Sequence, residues 1–403
     1  MAGYDINGYK KANMGNMPFI VIAASDSTNS DKEKADYVCT GTHDNATIQS
    51  VIDSLGERSA VLQFANGHYY FDTFFVHDGY YYGLYLAKYQ REIIFRGCNN
   101  DHRANTIDNS SIEQCVVFKV TQAAYDSLPT NQESYFIGSN RAYEFPYKVV
   151  GVESISFYIP NFEKPIIGID GAYCSDMHVE KCFFTSGGSK DDDTGVNPKC
   201  VAVRGCGQGN IGYNYYFKHI KILGWGTGFQ ITGEHLQVVD CIAQRTAYGF
   251  VIGNSTPVPF PRGNNVGGHP ITMINCGAEY NNRAAIYFGT NTAWKNGITI
   301  IDFNMEAGLP SSYAWGSDTL VTAEDGSNYF GSLSYACLSN ETWVHTQKNC
   351  WDTLEHGKNI KTTDMVAPIS GSTANRPIDP VYLSQYFDTT LDKMLTWNGT
   401  NWV

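Results

Sequence analysis

Charge is scarce in this chain. Of 403 residues only 17% are Asp, Glu, Lys or Arg, and the net charge is −12. There is no run of Lys or Arg, so the electrostatic footprint of a nucleic-acid binder is missing. Long apolar runs are missing as well. None approaches the length that crosses a bilayer, and the opening MAGYDINGYKKANMGN lacks the apolar stretch of a secretory signal. The expectation is folding in a cytoplasm, without membrane insertion. Pairing signals for cysteine are also lacking. The eleven cysteines are odd in number and form no Cys-x-x-Cys, and several sit in apolar runs such as KCFF and MINCGA. Buried, reduced thiols fit that pattern.

Familiar chemical fingerprints are absent too. No Gly-x-Ser-x-Gly, phosphate loop or dinucleotide fingerprint occurs, and GCGQGNIGYNYY (205–216) has no strand–turn–helix setting. His178, His219 and His235 lie in strand-like segments, none at zinc spacing from a cysteine or another histidine. They read as structural. Asp191, Asp192 and Asp193 offer hard oxygen ligands but match no EF-hand spacing, and a solvated acidic loop accounts for them. No metal or cofactor is expected.

What the chain has is aromatic and turn-forming residues: 14% aromatic, with 27 Tyr and 39 Gly, the balance of a β-rich protein. One segment has a clear helical period, Ala46–Leu55. Ile48, Val51, Ile52 and Leu55 form its stripe, Asp44 or Asn45 offers an N-cap, and Gly56 stops it. A strand over Phe19–Ala24 precedes it, and AVLQFANGHYYFDTFFV after it reads strand–turn–strand.

Short alternating segments then recur. VVDCIAQ, MINCGAE and IIDFNME superpose without gaps, placing Asp240, Asn275 and Asp302 in one column and Gln244, Glu279 and Glu306 in another. GFQI (228–231), GFVI (249–252) and AIYF (285–288) form a second matching strand. VESISFYI (152–159) and DMHVEKCFF (176–184) are earlier, looser copies. Imperfect strand repeats with variable insertions describe a solenoid. The expected fold is all-β, a right-handed parallel β-helix, with the helix closing its N-terminal end against edge pairing. A β-sandwich is the rival, but it does not predict gapless columns. The expected divisions are an arm (1–17), an N-terminal cap (18–56), the β-helix (57–368) and a C-terminal β-hairpin module (369–403).

That module raises its own question. RPIDPVYLSQYFDTTLDKMLTWNGTNWV carries Tyr386, Phe387, Trp397 and Trp402, too many large aromatics for two isolated hairpins to bury. Asn398-Gly399 fits a type I′ turn, Thr390 to Lys393 a looser one, and ISGSTANRP (369–377) reads as a linker. HYYFDTFFVHDGYYYGLYLAKYQ (68–90) is similarly over-supplied with rings, which suits either an interface between copies or a sugar-stacking surface. A homotrimer is expected.

Residues 36–70, ADYVCTGTHDNATIQSVIDSLGERSAVLQFANGHYYF, resemble the opening of the pectate-lyase-like β-helix superfamily. The ending QYFDTTLDKMLTWNGTNWV resembles a C-terminal module of bacteriophage tail and fibre proteins. Together they resemble a phage tailspike or receptor-binding protein. The resemblance implies a homotrimeric virion protein that binds, and in many cases cleaves, a host surface polysaccharide, with the N-terminal arm contacting other virion proteins.

Glu279 and Glu306 are the leading catalytic candidates. Neighbouring strands lie ~4.8 Å apart, close enough for two carboxylates to act as an acid/base pair in glycoside hydrolysis. A solvent-facing column of unrelated glutamates is the alternative. Asp240 and Asp302 would lie two strands apart, roughly 9.6 Å, a spacing suited to inversion, although an Asn/Asp ladder at a bend explains them structurally. Arg245, Arg283, Gln244 and Tyr280 are the accompanying substrate-binding candidates. A lyase would want a Lys, Arg, Tyr or His base near calcium or a neutralising arginine, and no such set stands out. A stand-alone polysaccharide-degrading enzyme and a non-catalytic virion component remain as alternatives.

Overall fold

In Ile155–Ile159 the side chains of Ile155, Phe157 and Ile159 are fully buried, with Tyr158 half-exposed between the last two. Such alternation puts one face of a strand on a core. The computed structural model describes residues 17–87, 92–98, 115–139, 149–172, 174–188, 196–206, 214–232, 234–253, 255, 258–259, 269–279, 283–288, 298–301, 303–306, 321–323, 333–336, 369–371, 374, 385–388, 390–396 and 400–403. Within them the chain is mostly β, in three long sheets of 11, 8 and 9 strands. Pairing is parallel throughout these sheets, except where Phe75–His77 adds antiparallel to Tyr80–Leu86.

The path is cyclic. From Ala60–Phe64 in the first sheet the chain passes to Gly67–Phe71 in the second and Tyr80–Leu86 in the third. It then returns to Glu92–Gly97, beside Ala60–Phe64. Later circuits keep this order through Ile298–Ile301, Asn304–Glu306 and Val321–Ala323. The arrangement is compatible with a parallel β-helix. The gapless repeat match is also the observed register: Gln244 pairs Glu279, which pairs Glu306, and Phe229 pairs Phe250.

Register turns equal residues into stacks. The rings of Phe229 and Phe250 lie parallel with centroids 4.7 Å apart, and Phe303 closes on Phe250 at 5.5 Å. Phe157 and Phe184 stack at 4.7 Å, and Trp225 meets Phe184 edge-on at 5.7 Å. Each such burial contributes about 1.5–3 kcal/mol. The early aromatic stretch feeds the same core. Tyr69, Phe71 and Tyr82 are fully buried in it, with Tyr80, Tyr81 and Tyr85 packed on its margin, so the interior absorbs more of these rings than the composition implies.

The bend between first and second sheets is built the same way in successive circuits. Ser154, Lys181, His219, Asp240 and Asn275 take left-handed backbone (φ 50–57°). Their position lets each amide reach across to the next circuit: Ser154 N to Glu180 O, Lys181 N to Lys218 O, His219 N to Val239 O and Asp240 N to Ile274 O, all at 2.9–3.0 Å. The following residue turns inward, as at Cys182, Cys241 and Cys276. Cys39, Cys98, Cys115, Cys174, Cys182, Cys200, Cys241 and Cys276 are free thiols. Burial pushes the Cys182 and Cys276 thiols up to about 12, which leaves them neutral and inert.

The helix runs Asp44–Leu55, and its N-cap is His43 in left-handed backbone, without a side-chain cap bond. Asp44 and Asn45 are therefore inside the helix, correcting the expectation that one of them caps it. They have other work. The Asp44 carboxylate accepts the Tyr70 amide at 2.9 Å, and Asp26 accepts the His68 amide at 2.9 Å. Asn45 donates to Thr73 O and Gly83 O, and Gln49 bonds both the N–H and C=O of Tyr85 at 2.8 and 3.0 Å. Side chains thus satisfy the outermost strand of the second sheet and, in the third, the part of Tyr80–Leu86 beyond its pairing with Phe75–His77. The first sheet instead continues into Phe19–Ala23 and Tyr37–Val38, so residues expected only to cap the fold also extend it.

On the third sheet, Arg204 is completely buried on the face opposite Phe229. It forms a two-pronged pair with Glu133 (2.7 and 3.1 Å) and donates to Gln230 at 2.9 Å. Gln230 in turn donates to Val258 O at 2.6 Å, tying the chain after the third sheet back onto it. A buried charge with partners on each side holds geometry more than it adds stability. Near the C-terminal end, Ile369–Gly371 pairs parallel with Gln385–Asp388, which pairs antiparallel with Lys393–Thr396. The start of the expected linker is therefore a strand. The Asp388 carboxylate accepts the Thr390 and Leu391 amides at 2.9 and 3.0 Å, which shapes the turn before Lys393. Asn398-Gly399 lies outside the described residues, as do the arm at 1–16 and Asp191 to Asp193.

Candidate functional site

The second-sheet strands Ile242–Gln244 and Gly277–Glu279 are only three residues long. Their middle residues, Ala243 and Ala278, are buried, so Gln244 and Glu279 point to the opposite, outer face. Both are half-buried, and the Gln244 amide donates to the Glu279 carboxylate across adjacent circuits. Glu306 is the next register partner in this column; for it the structure describes the backbone alone.

Arg245 follows Gln244 in left-handed backbone (φ 51°), and its amide donates to Glu279 O at 2.9 Å. That bend sets it beside the column. Arg283 is one bend further on, its amide on Ala247 O at 3.0 Å and its guanidinium 5.8 Å from the Tyr248 ring centroid. Gln244, Glu279 and Arg245 are thus brought together, with Arg283 on the neighbouring bend. Tyr280 and Asp302 lie outside the described residues.

Asp240 sits at the other end of these strands. Four residues at ~3.3 Å each separate it from Gln244, roughly 13 Å, too far to share a proton with the glutamate column. Its two oxygens are engaged: Asn275 Nδ2 approaches Oδ1 at 2.6 Å and His219 Nε2 approaches Oδ2 at 2.8 Å. The arrangement is a bend ladder running over three circuits. His178 is paired similarly with Glu180, at 3.3 Å.

The outer column extends much further than the repeat match indicated. Register runs from Tyr70 through Lys119, Tyr158, Thr185 and Leu223 to Gln244, Glu279 and Glu306. Its upstream half escaped sequence reading, although Tyr158 in SFY and Thr185 in FFT hold equivalent places in the looser copies. Among the described residues no group of His, Cys, Asp and Glu is arranged to hold a metal ion, and no helix is long and apolar enough to cross a membrane. No protein-family model matches the chain, and no curated protein is significantly similar to it.

Proposed function

We propose that the three sheets are the faces of a right-handed parallel β-helix, and that the chain is a bacteriophage tail protein that binds and cleaves a polysaccharide on its host's surface. Crossovers between parallel strands are right-handed in nearly all proteins, which supports the hand. The observation that carries the chemistry is the register of Glu279 with Glu306 on an outer face, with Gln244 bonded to Glu279. Carboxyl groups one strand apart, ~4.8 Å, suit a retaining glycoside hydrolase, in which one is nucleophile and the other acid/base. Arg245 and Arg283 supply positive charge beside them for an acidic sugar or a developing negative charge.

The virion assignment rests on the resemblance of residues 36–70 and 385–403 described above. Assembly as a homotrimer fits the outward apolar pair on the first sheet, Val239 and the 37% exposed Ile274, which stand on adjacent circuits. Static light scattering at micromolar concentration tests the trimer, and a monomeric mass would contradict it.

Incubation with surface polysaccharides of candidate host bacteria tests the activity. Hydrolysis releases new reducing ends without the ultraviolet absorbance of unsaturated sugars. Unsaturated products would replace the hydrolase with a lyase. A protein that neither depolymerises nor retains any of these polysaccharides would contradict the reading.

A further inference from the structure

We infer that Lys119, held between Tyr70 and Tyr158, is a carboxylate-binding subsite for an acidic polysaccharide. The inference rests on the glycan reading above and names the class of glycan. The three residues are consecutive register partners on the outer face of the second sheet, in the same column as Gln244 and Glu279. The Lys119 ammonium lies 5.9 Å from the Tyr70 ring centroid and 5.4 Å from that of Tyr158.

Three features make this more than a surface lysine. First, no carboxylate pairs with Lys119 among the described residues, so its charge rests on two ring faces and is available to an anion. Second, the rings hold the ammonium in place, which reduces the ordering cost of binding. Third, the Tyr158 ring is fixed at its far end, because its hydroxyl packs so closely on Gly187 that a Cβ there would come within 2.3 Å of it. Half-exposed phenol rings one strand to either side of a cation offer flat faces for pyranose rings and a charge for the carboxylate between them.

The column's charge pattern gives direction. Lys119 is the only cation among the named column residues, and the glutamates stand at the far end. Four strand steps separate Lys119 from Gln244, roughly 19 Å, the reach of a short oligosaccharide. A uronic-acid carboxylate is anchored at Lys119, and the chain beyond it extends toward Glu279.

Affinity electrophoresis of the full chain in gels containing polygalacturonate or dextran tests this. Polygalacturonate retards the protein, and added salt weakens the effect. Lys119→Met keeps the aliphatic stem and weakens retardation roughly 10- to 100-fold, the worth of a charge-assisted hydrogen bond, while Lys119→Arg preserves it. Both variants keep the parent melting temperature. Equal retardation of Lys119→Met and the parent overturns the subsite. Retardation by dextran but not polygalacturonate overturns the acidic assignment and leaves the glycan reading standing. Retardation by neither polymer, together with no binding to the host polysaccharides, overturns both.

Discussion

Asn275 Nδ2 lies 2.6 Å from Asp240 Oδ1, one circuit away, and both residues occupy left-handed backbone. A short amide or carboxylate is suited to such a position, because it tolerates positive φ and can bond the residue stacked on it. Asp240→Ala removes both advantages and also strands His219, which lies 2.8 Å from the other oxygen. It should destabilise by about 1–2 kcal/mol. Asp240→Asn should cost less. Urea denaturation midpoints would separate them, and equal midpoints for Asp240→Ala and the parent would remove the ladder's structural role.

The N-terminal closure makes a second prediction. Asp44 is fully buried and receives amides from Gly41 and Tyr70, each at 2.9 Å. Asp44→Ala leaves the Tyr70 amide without its acceptor and should cost about 1–3 kcal/mol. Asp44→Asn keeps one oxygen acceptor but turns its NH2 on the other amide, so it should recover only part of the loss. If the two variants melt alike, edge satisfaction is not what Asp44 supplies.

Acid sensitivity follows from Glu180. A hydrogen bond from His178 holds its carboxyl down at about 2, opposed by burial and aided by the charges of Lys181, His178 and Lys218. Because the folded value is depressed, this stabilisation is present above the ordinary glutamate value, 4.5, and is lost as pH falls toward 2. The stability gap between the parent and Glu180→Gln should close as pH falls from about 5 toward 2. A gap independent of pH down to acid unfolding would contradict the assignment.

The repeat region was legible because its register is set by stacking apolar inward side chains. Phe229 over Phe250, and Val238 over Met273, leave no freedom to slip by one residue without turning the core outward. The cap was less legible. Ile48, Val51, Ile52 and Leu55 announce a helix, but the partners of Asn45 and Gln49 are strand edges 28 to 38 positions away. A polar residue at a helix start reads as a cap when its real partner is distant. Arg204 was invisible for the same reason, since Glu133 lies 71 positions upstream. The helix Gln122–Ser127 was missed because six residues are too few to show a period, although Thr121 caps it through Ala124 N.

For the glutamate column, sequence and register agree on which residues are neighbours, but neighbourhood alone does not assign acid and nucleophile. That chemistry is tested most directly by initial rates of reducing-end release from a host polysaccharide by the parent, Glu279→Gln and Glu306→Gln. Each variant should lose roughly 10²- to 10⁴-fold in rate, the usual contribution of a positioned acid/base group, while retaining the polysaccharide as well as the parent does. Release at the parental rate by either variant would contradict a catalytic Glu279–Glu306 pair.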